Sequence, residues 1–377
     1  MKKLISGILA SLFLLSLPCS ALALEDDSVS APSAVLMETN TGKVVFEKKP
    51  HERRPCASIT KVMTLLLVFE AIDGGKLSLD DTITASEHAA SMGGSDIWLE
   101  PGEEMSADDM IKATVVASAN DAAVALAEKI SGSEEAFVAQ MNTRAAELGM
   151  NDTEFKNCNG LDEEGHLTSA YDVALMSREL MKHEQIFDYT SIWLDNLRGG
   201  ETQIVNTNKL LKTYNGITGL KTGTTDDAGC CMAASAQRDG VNMLSVVLGC
   251  ATGKERFADA AALLDYGFAN YSVKELTAPS DIPAELPLKN GMAKAVAIEC
   301  EVNGGVLVGK GSEEEITSEI TVPDELEAPV EAGQCVGKLT FSAADETLEF
   351  DITAAETVEK ASFGSVLAYT LSALLKL

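Results

Sequence analysis

The chain has 377 residues, enough for more than one hydrophobic core, because single cores seldom grow past about 250 to 300 residues before a chain divides. With 46% apolar and 23% charged residues it should fold rather than remain disordered. Its 58 acids against 29 bases give a formal charge of -29, which excludes nucleic acid as a partner and leaves apolar burial, not a basic patch, as the route onto an anionic membrane.

Residues 1–23 have the three parts of a secretory signal: Lys2 and Lys3, the apolar run Leu4 to Leu17, and Ala21-Leu22-Ala23 as a small-x-small cleavage site. Export with cleavage is expected, and the mature chain then begins near Leu24; Pro18 ahead of Cys19 argues against lipoprotein processing. Seven cysteines remain (Cys56, Cys158, Cys230, Cys231, Cys250, Cys300 and Cys335), an odd number in a scattered placement that reads as buried small apolar residues rather than a disulfide framework. With no Cys-x-x-Cys and no His-Glu-x-x-His, the sequence offers no support for a metal site, and no cofactor is expected.

Ser33 to Glu38 and Val44 to Glu47 read as strands joined by Thr39-Asn40-Thr41-Gly42-Lys43, whose Asn and Gly suit a hairpin turn. Val62 to Phe69 is apolar on every side until Asp73-Gly74-Gly75 halts it, the pattern of a helix buried all round with Ser58 at its first turn. Between about 76 and 190 the period is helical: one helix starts at Ser106, Ala122 to Ile130 forms another, Ser133 caps a third that Gly149 ends, and a fourth runs from about Ser169 to His183. Strands follow at Thr218 to Thr224, Cys230 to Gln237 and Val241 to Gly249, and then a helix from Lys254 to Ala269. Strands at both ends with helices between them imply an α/β domain with one antiparallel sheet and an inserted helical subdomain, the active site lying in the cleft between the two.

Pro279, Pro283 and Pro287 mark a linker, and short alternating segments from about Ala293 to Thr353 predict a small all-β domain. The expected division is 24–275 for the first domain, 276–356 for the β domain and 357–377 for a tail. In the uncharged stretch Ala361 to Leu375, Phe363, Val366, Leu367, Leu371, Leu374 and Leu375 share one helical face, opposite Ser362, Ser365 and Ser372. The stretch is too short to span a bilayer, so the tail is expected to lie as an amphipathic helix in a membrane surface.

A serine hydroxyl is a poor nucleophile until a base takes its proton. Ser58 and Lys61, spaced i, i+3, put a hydroxyl and an amine on one helix face, and burial would push the lysine towards its neutral, basic form. Ser118-Ala119-Asn120 falls in a turn between helices, holding a hydroxyl and an amide outwards, and Lys221-Thr222-Gly223 falls on a strand whose glycine lets a substrate backbone come close.

In this order Ser-x-x-Lys, Ser-x-Asn and Lys-Thr-Gly resemble the three elements of the penicillin-interacting serine enzymes. The longer stretches Pro55 to Thr64, Ala117 to Ala123 and Gly219 to Thr225, with Asn159-Gly160-Leu161-Asp162 and His166, are similar to the low-molecular-mass D-alanyl-D-alanine carboxypeptidases. That resemblance implies a β-lactamase/transpeptidase-like fold and an exported enzyme at the outer face of the cytoplasmic membrane or in the wall. The implied substrate is the peptidoglycan stem peptide ending in D-Ala-D-Ala, with β-lactams acylating the same serine. It further implies that Ser58 is the nucleophile, Lys61 its base, Ser118 with Lys221 the proton donor to the leaving D-alanine, and Asn120 the group that orients Lys61 and the substrate amide. Thr222, Thr224 and Arg256 would hold the terminal carboxylate, Gly223 would bind substrate by letting its backbone come close, and the N–H groups of Ser58 and Thr224 would form the oxyanion hole.

Two departures from the pattern and two rival readings accompany the resemblance. Cys56 stands where a proline is more usual and is expected to be buried packing; His166, with no partner legible in the sequence, is expected to be structural. A class A β-lactamase would need a deacylating Glu with an Asn four positions later, but four residues after Glu154 stands Cys158. A non-catalytic wall-binding module would be acylated without turnover.

Overall fold

A computed structural model describes residues 28–312, 315–343 and 346–375, so the expected signal segment 1–23 lies outside the described residues. Strands β1 (Ser33–Glu38) and β2 (Val44–Lys48) form the predicted hairpin; β3 (Ile217–Thr225), β4 (Gly229–Arg238) and β5 (Val241–Cys250) come from the far end of the first domain. The five pair antiparallel in the order β2-β1-β5-β4-β3, with Ser33 opposite Leu248 where the two chain ends meet. All six residues of β1 are buried, and its side chains divide by strand alternation: Val35 and Met37 join one core, Ala34 and Leu36 the other. Both faces of the sheet are therefore covered.

On one face lie the inserted helices α1 (Lys61–Asp73), α2 (Asn120–Ser131), α3 (Glu134–Glu147) and α4 (Ala170–Leu180); on the other lies α5 (Gly253–Asn270). Helix α1 is buried from Lys61 to Phe69 and ends at Gly74, as its continuous apolar run requires. Ser133 caps α3 by accepting the Ala136 N–H, and Thr252 with Glu255 forms a reciprocal capping box at the start of α5. Two small antiparallel strand pairs, Thr82–Thr84 with Glu104–Ser106 and Leu194–Leu197 with Thr202–Val205, were not anticipated, because strands of three or four residues carry too little alternation to detect.

The second domain contains β6 (Tyr271–Glu275), β7 (Glu285–Lys289), β8 (Ala295–Cys300), β9 (Gly305–Gly309), β10 (Thr317–Thr321), β11 (Leu326–Glu327), β12 (Cys335–Ala343) and β13 (Glu346–Ala354). Six of these form a sheet in the order β10-β12-β13-β8-β7-β11, while β6 and β9 make a separate ribbon that carries Leu307 into the core under α5 and Val306 and Val308 into a further core, that of the second domain, with Val296, Leu339 and Ile352. Pro287 does not mark the linker: it lies within β7, opposite Ala295. Pairing to β11 begins only at Leu288, so the missing Pro287 N–H breaks no ladder bond, the condition under which a strand accepts proline. Helix α6 (Phe363–Leu375) follows a segment tied to this domain through Ala361 N–H to the Asn290 carbonyl, 2.7 Å.

Candidate active site

The turn that enters α1 is a 3-10 turn, Ala57–Thr60, so Ser58 lies just ahead of the α-helix rather than in its first α-turn. Lys61, wholly buried, points its Nζ at three oxygens: Ser58 Oγ at 3.1 Å, Asn120 Oδ1 at 2.5 Å and the Asn159 carbonyl at 2.6 Å. The two carbonyl oxygens can only accept, so each claims one amine proton. In the neutral amine the remaining position is a lone pair, and it faces the Ser58 hydroxyl. Burial is the main reason that Lys61 is lowered to about 7, with Cys158 and Asp121 acting in the opposite sense. One helical turn on, Thr64 Oγ1 donates to the Cys158 carbonyl at 2.5 Å and holds the loop that supplies the Asn159 oxygen.

Ser118 follows a π-helical turn, Ala113–Ala117, and has φ +61, a left-handed conformation that ends the turn and lets α2 start in a new direction at Asn120. Lys221 Nζ, on β3, donates to Ser118 Oγ at 2.7 Å and to the Thr222 carbonyl at 3.1 Å. Burial, and then the positive charges of Lys61 and Arg256, hold Lys221 well below the ordinary lysine value. Asn120 has two duties: its Oδ1 orients Lys61, and its Nδ2 donates to the Gly93 carbonyl at 2.6 Å. The neighbouring buried Asp121 carboxylate accepts the N–H groups of Ile97 and Leu99, each at 3.0 Å, fastening the loop 93–99 to the start of α2.

Strand β3 runs beside the serine turn. A Cβ on Gly223 would come within 2.7 Å of the Cys56 carbonyl and 2.9 Å of the Ser58 nitrogen, so the approach requires glycine. Thr222 Oγ1 donates to Thr207 Oγ1 at 2.6 Å, and the exposed Thr224 hydroxyl accepts from Arg256 Nη1 at 2.8 Å. Arg256 Nη1 also reaches the Gly223 carbonyl at 2.8 Å, its Nε is buried without a partner, and it forms no ion pair among the described residues. Burial lowers Arg256 from its ordinary value. Three basic groups thus converge, without a paired carboxylate, in a chain whose net charge is -29. Of the three, the Arg256 guanidinium keeps its charge, and unpaired among the described residues it can attract an anionic ligand.

The predicted residues Ser58, Lys61, Ser118, Asn120, Lys221, Thr222, Gly223, Thr224 and Arg256 therefore meet at one end of β3. Sequence reasoning assigned no role in this arrangement to Thr207, Asp121 or the Asn159 carbonyl; Asp121 and Asn159 at least lie in the stretches that carry the resemblance, while Thr207 had no signal. Cys56 is fully buried with its thiol pushed up to about 11 by burial, so it is a packing residue rather than a reactive one. Glu154 carries a half-exposed side chain in an ion pair with Lys156 rather than pointing into the cleft, which removes the acid a class A β-lactamase would use.

Comparison with known proteins matches residues 20–252 to the family described as D-alanyl-D-alanine carboxypeptidase, and residues 271–360 to the penicillin-binding protein 5 C-terminal domain. The chain is 43% identical to the D-alanyl-D-alanine carboxypeptidase DacF of Bacillus subtilis, over 98% of both chains. It is 32% identical to DacC of Escherichia coli, over 90% of this chain and 87% of that one. Among solved structures, a peptidoglycan synthesis regulatory factor (PBP3) from Streptococcus pneumoniae superposes with a TM-score of 0.76 at 29% identity, covering 88% of this chain and 100% of the other. Penicillin-binding protein 5 from Haemophilus influenzae gives 0.72 at 28% identity, covering 88% and 98%.

Proposed function

The chain belongs to the D-alanyl-D-alanine carboxypeptidase family, and from that premise we propose that Ser58 is its nucleophile and Lys61 the base that activates it. The protein is a serine-type D-Ala-D-Ala carboxypeptidase of the penicillin-binding class, acting on peptidoglycan. The observation that carries the assignment of roles is the Lys61 amine, buried, with two protons claimed by carbonyl oxygens and its third position turned to Ser58 Oγ at 3.1 Å.

Ser58 Oγ attacks the carbonyl joining the two terminal D-alanines as its proton moves to Lys61. Charge then develops on the former carbonyl oxygen, where the N–H groups of Ser58 and Thr224 receive it; one such donor is worth about 3 to 4 kcal/mol of barrier. Ser118, hydrogen-bonded to Lys221, passes a proton to the departing D-alanine amine, and water then hydrolyses the acyl-enzyme. Thr222, Thr224 and Arg256 hold the terminal carboxylate while Gly223 lets the substrate backbone come close, the guanidinium supplying a charge that no carboxylate among the described residues neutralises.

In this reading 24–275 is the catalytic unit, 276–356 a spacer domain and 357–377 an anchor on the outer face of the cytoplasmic membrane, reached after export through the 1–23 signal. Support for the anchor comes from α6, on which Phe363 is 85% exposed and Val366, Leu367 and Leu371 each about half exposed. Among the described residues no helix is long and apolar enough to cross a membrane, so interfacial binding is the mode that fits.

Incubation with a pentapeptide ending in D-Ala-D-Ala, with release of D-alanine as the readout, tests the assignment together with mass spectrometry of a penicillin adduct. Release by the parent, none by Ser58→Ala, and an adduct on the peptide containing Ser58 are expected. An adduct on another residue would overturn it. Flotation with anionic lipid vesicles, comparing the full chain with Leu367→Glu/Leu371→Glu, tests the anchor; equal flotation refutes it.

A further inference from the structure

We propose that His166 is a positioning residue of the oxyanion hole: through Thr60 it fixes the Ala57 carbonyl, and thereby the direction in which the Ser58 N–H points. His166 lies 106 residues from Thr60 in the chain, yet its Nε2 is 2.7 Å from Thr60 Oγ1. Its other ring nitrogen, Nδ1, accepts the backbone N–H of Lys156 at 3.1 Å. The Thr60 hydroxyl in turn lies 2.9 Å from the Ala57 carbonyl oxygen, to which it donates.

The direction of every bond in this relay follows from its first member. A backbone N–H only donates, so Nδ1 must present a lone pair, and the single proton of the neutral ring sits on Nε2. That proton goes to Thr60 Oγ1, which leaves the Thr60 hydroxyl hydrogen for the Ala57 oxygen. The ring cannot turn to another arrangement: it is 4% exposed and packs edge-on against Phe155 at 5.8 Å.

A trans peptide is planar, with its C=O and N–H pointing in opposite directions. Holding the Ala57 oxygen therefore aims the Ser58 N–H, an N–H at the start of a 3-10 turn that has no intrahelical acceptor. The aim needs holding, because Ala57 has φ +51, a conformation that an alanine seldom adopts. Two glycines complete the seat. A Cβ on Gly160 would fall 2.0 Å from the Ala57 oxygen, and one on Gly223 2.9 Å from the Ser58 nitrogen. The glycines permit the peptide to sit there, while the relay decides its tilt.

This inference rests on the reading that Ser58 is the nucleophile and its N–H an oxyanion donor. The experiment compares pentapeptide hydrolysis by His166→Ala, His166→Gln, Thr60→Val, Thr60→Ser and the double variant His166→Ala/Thr60→Val. Deleting an oxyanion donor costs about 100- to 1,000-fold, so misaiming one should lower kcat about 10- to 100-fold, with KM within about twofold. Thr60→Val should match His166→Ala, and the double variant should be no worse than either single one, because both break the same relay. His166→Gln, whose amide can accept from Lys156 and donate to Thr60, and Thr60→Ser, which keeps the hydroxyl, should recover most of the rate. Parent-like kcat in Thr60→Val, multiplying losses in the double variant, or a Gln variant as slow as the Ala variant would each overturn the proposal. A parent protein whose penicillin adduct lies elsewhere than Ser58 would instead refute the underlying assignment, which keeps the two failures apart.

Discussion

Two sets of lysines in this chain are treated in opposite ways. At the cleft, Lys61 and Lys221 are fully buried, bond only to hydroxyl and carbonyl oxygens, and lie below the ordinary lysine value because burial disfavours their charge. On the second domain, Lys289 and Lys338 are largely exposed, pair with Glu325 and Glu349, and lie above that value because of those carboxylates. A chain with twice as many acids as bases had carboxylates to spare for the cleft, and among the described residues none pairs with a basic group there. On the proposed roles, the difference separates a base, which needs an uncharged amine, from a solvated surface, which gains little from its ion pairs.

The sharpest way to break that contrast is to delete a buried amine. Lys61→Ala should lower penicillin acylation by roughly 1,000-fold or more, measured by stopped-flow or by adduct formation over hours. The pH profile of the parent gives the same contrast its sign. In the proposed role Lys61 works as a neutral amine, and it is lowered to about 7, so acylation should be slow at pH 6 and rise through neutrality to a plateau above about 8. A rate flat from pH 6 to 9 would contradict a lysine base.

Arg256→Ala should cost about 10- to 100-fold in kcat/KM for a substrate with a free terminal carboxylate and little for its amide, because one charge-assisted pair is lost in the first case only. A smaller effect concerns stability. His166 is lowered from 6.5 to about 4, mainly by burial, with Glu163 and Asp162 opposing the shift. Between those values the unfolded chain binds the proton and the folded one does not, so stability is lost as pH falls from 6.5 towards 4, by up to about 3 kcal/mol. His166→Gln should flatten that slope in urea unfolding measured across this range. Lys338→Ala, at the other end of the contrast, should leave Tm and D-alanine release unchanged.

Local pattern carried much of the architecture. The continuous apolar run of α1, the hairpin of β1 and β2 and the three strands β3 to β5 were legible because burial on one or both faces imposes a period on the residues themselves. Ser58 and Lys61 share a face by their i, i+3 spacing, but they were legible as a pair only together with Ser118-Ala119-Asn120 and Lys221-Thr222-Gly223, which carry the family resemblance. Pro287 misled because the same residue punctuates a linker and tolerates a strand position that lacks a second neighbour.

What the sequence determined by itself was therefore whatever depends on residues near one another in the chain: most of the elements, the Ser58–Lys61 pair proposed as nucleophile and base, and the Ser118–Asn120 and Lys221–Gly223 segments proposed to act with them. Tertiary structure alone decided that the Asn159 carbonyl would take a proton of Lys61, that Thr207 would meet Thr222, and that His166 would reach Thr60 across 106 positions. The physical reason is that a carbonyl oxygen or a ring nitrogen has no sequence signature for its partner. Each contact is set by where packing brings distant segments together, and by the need of every buried polar group to find a partner there.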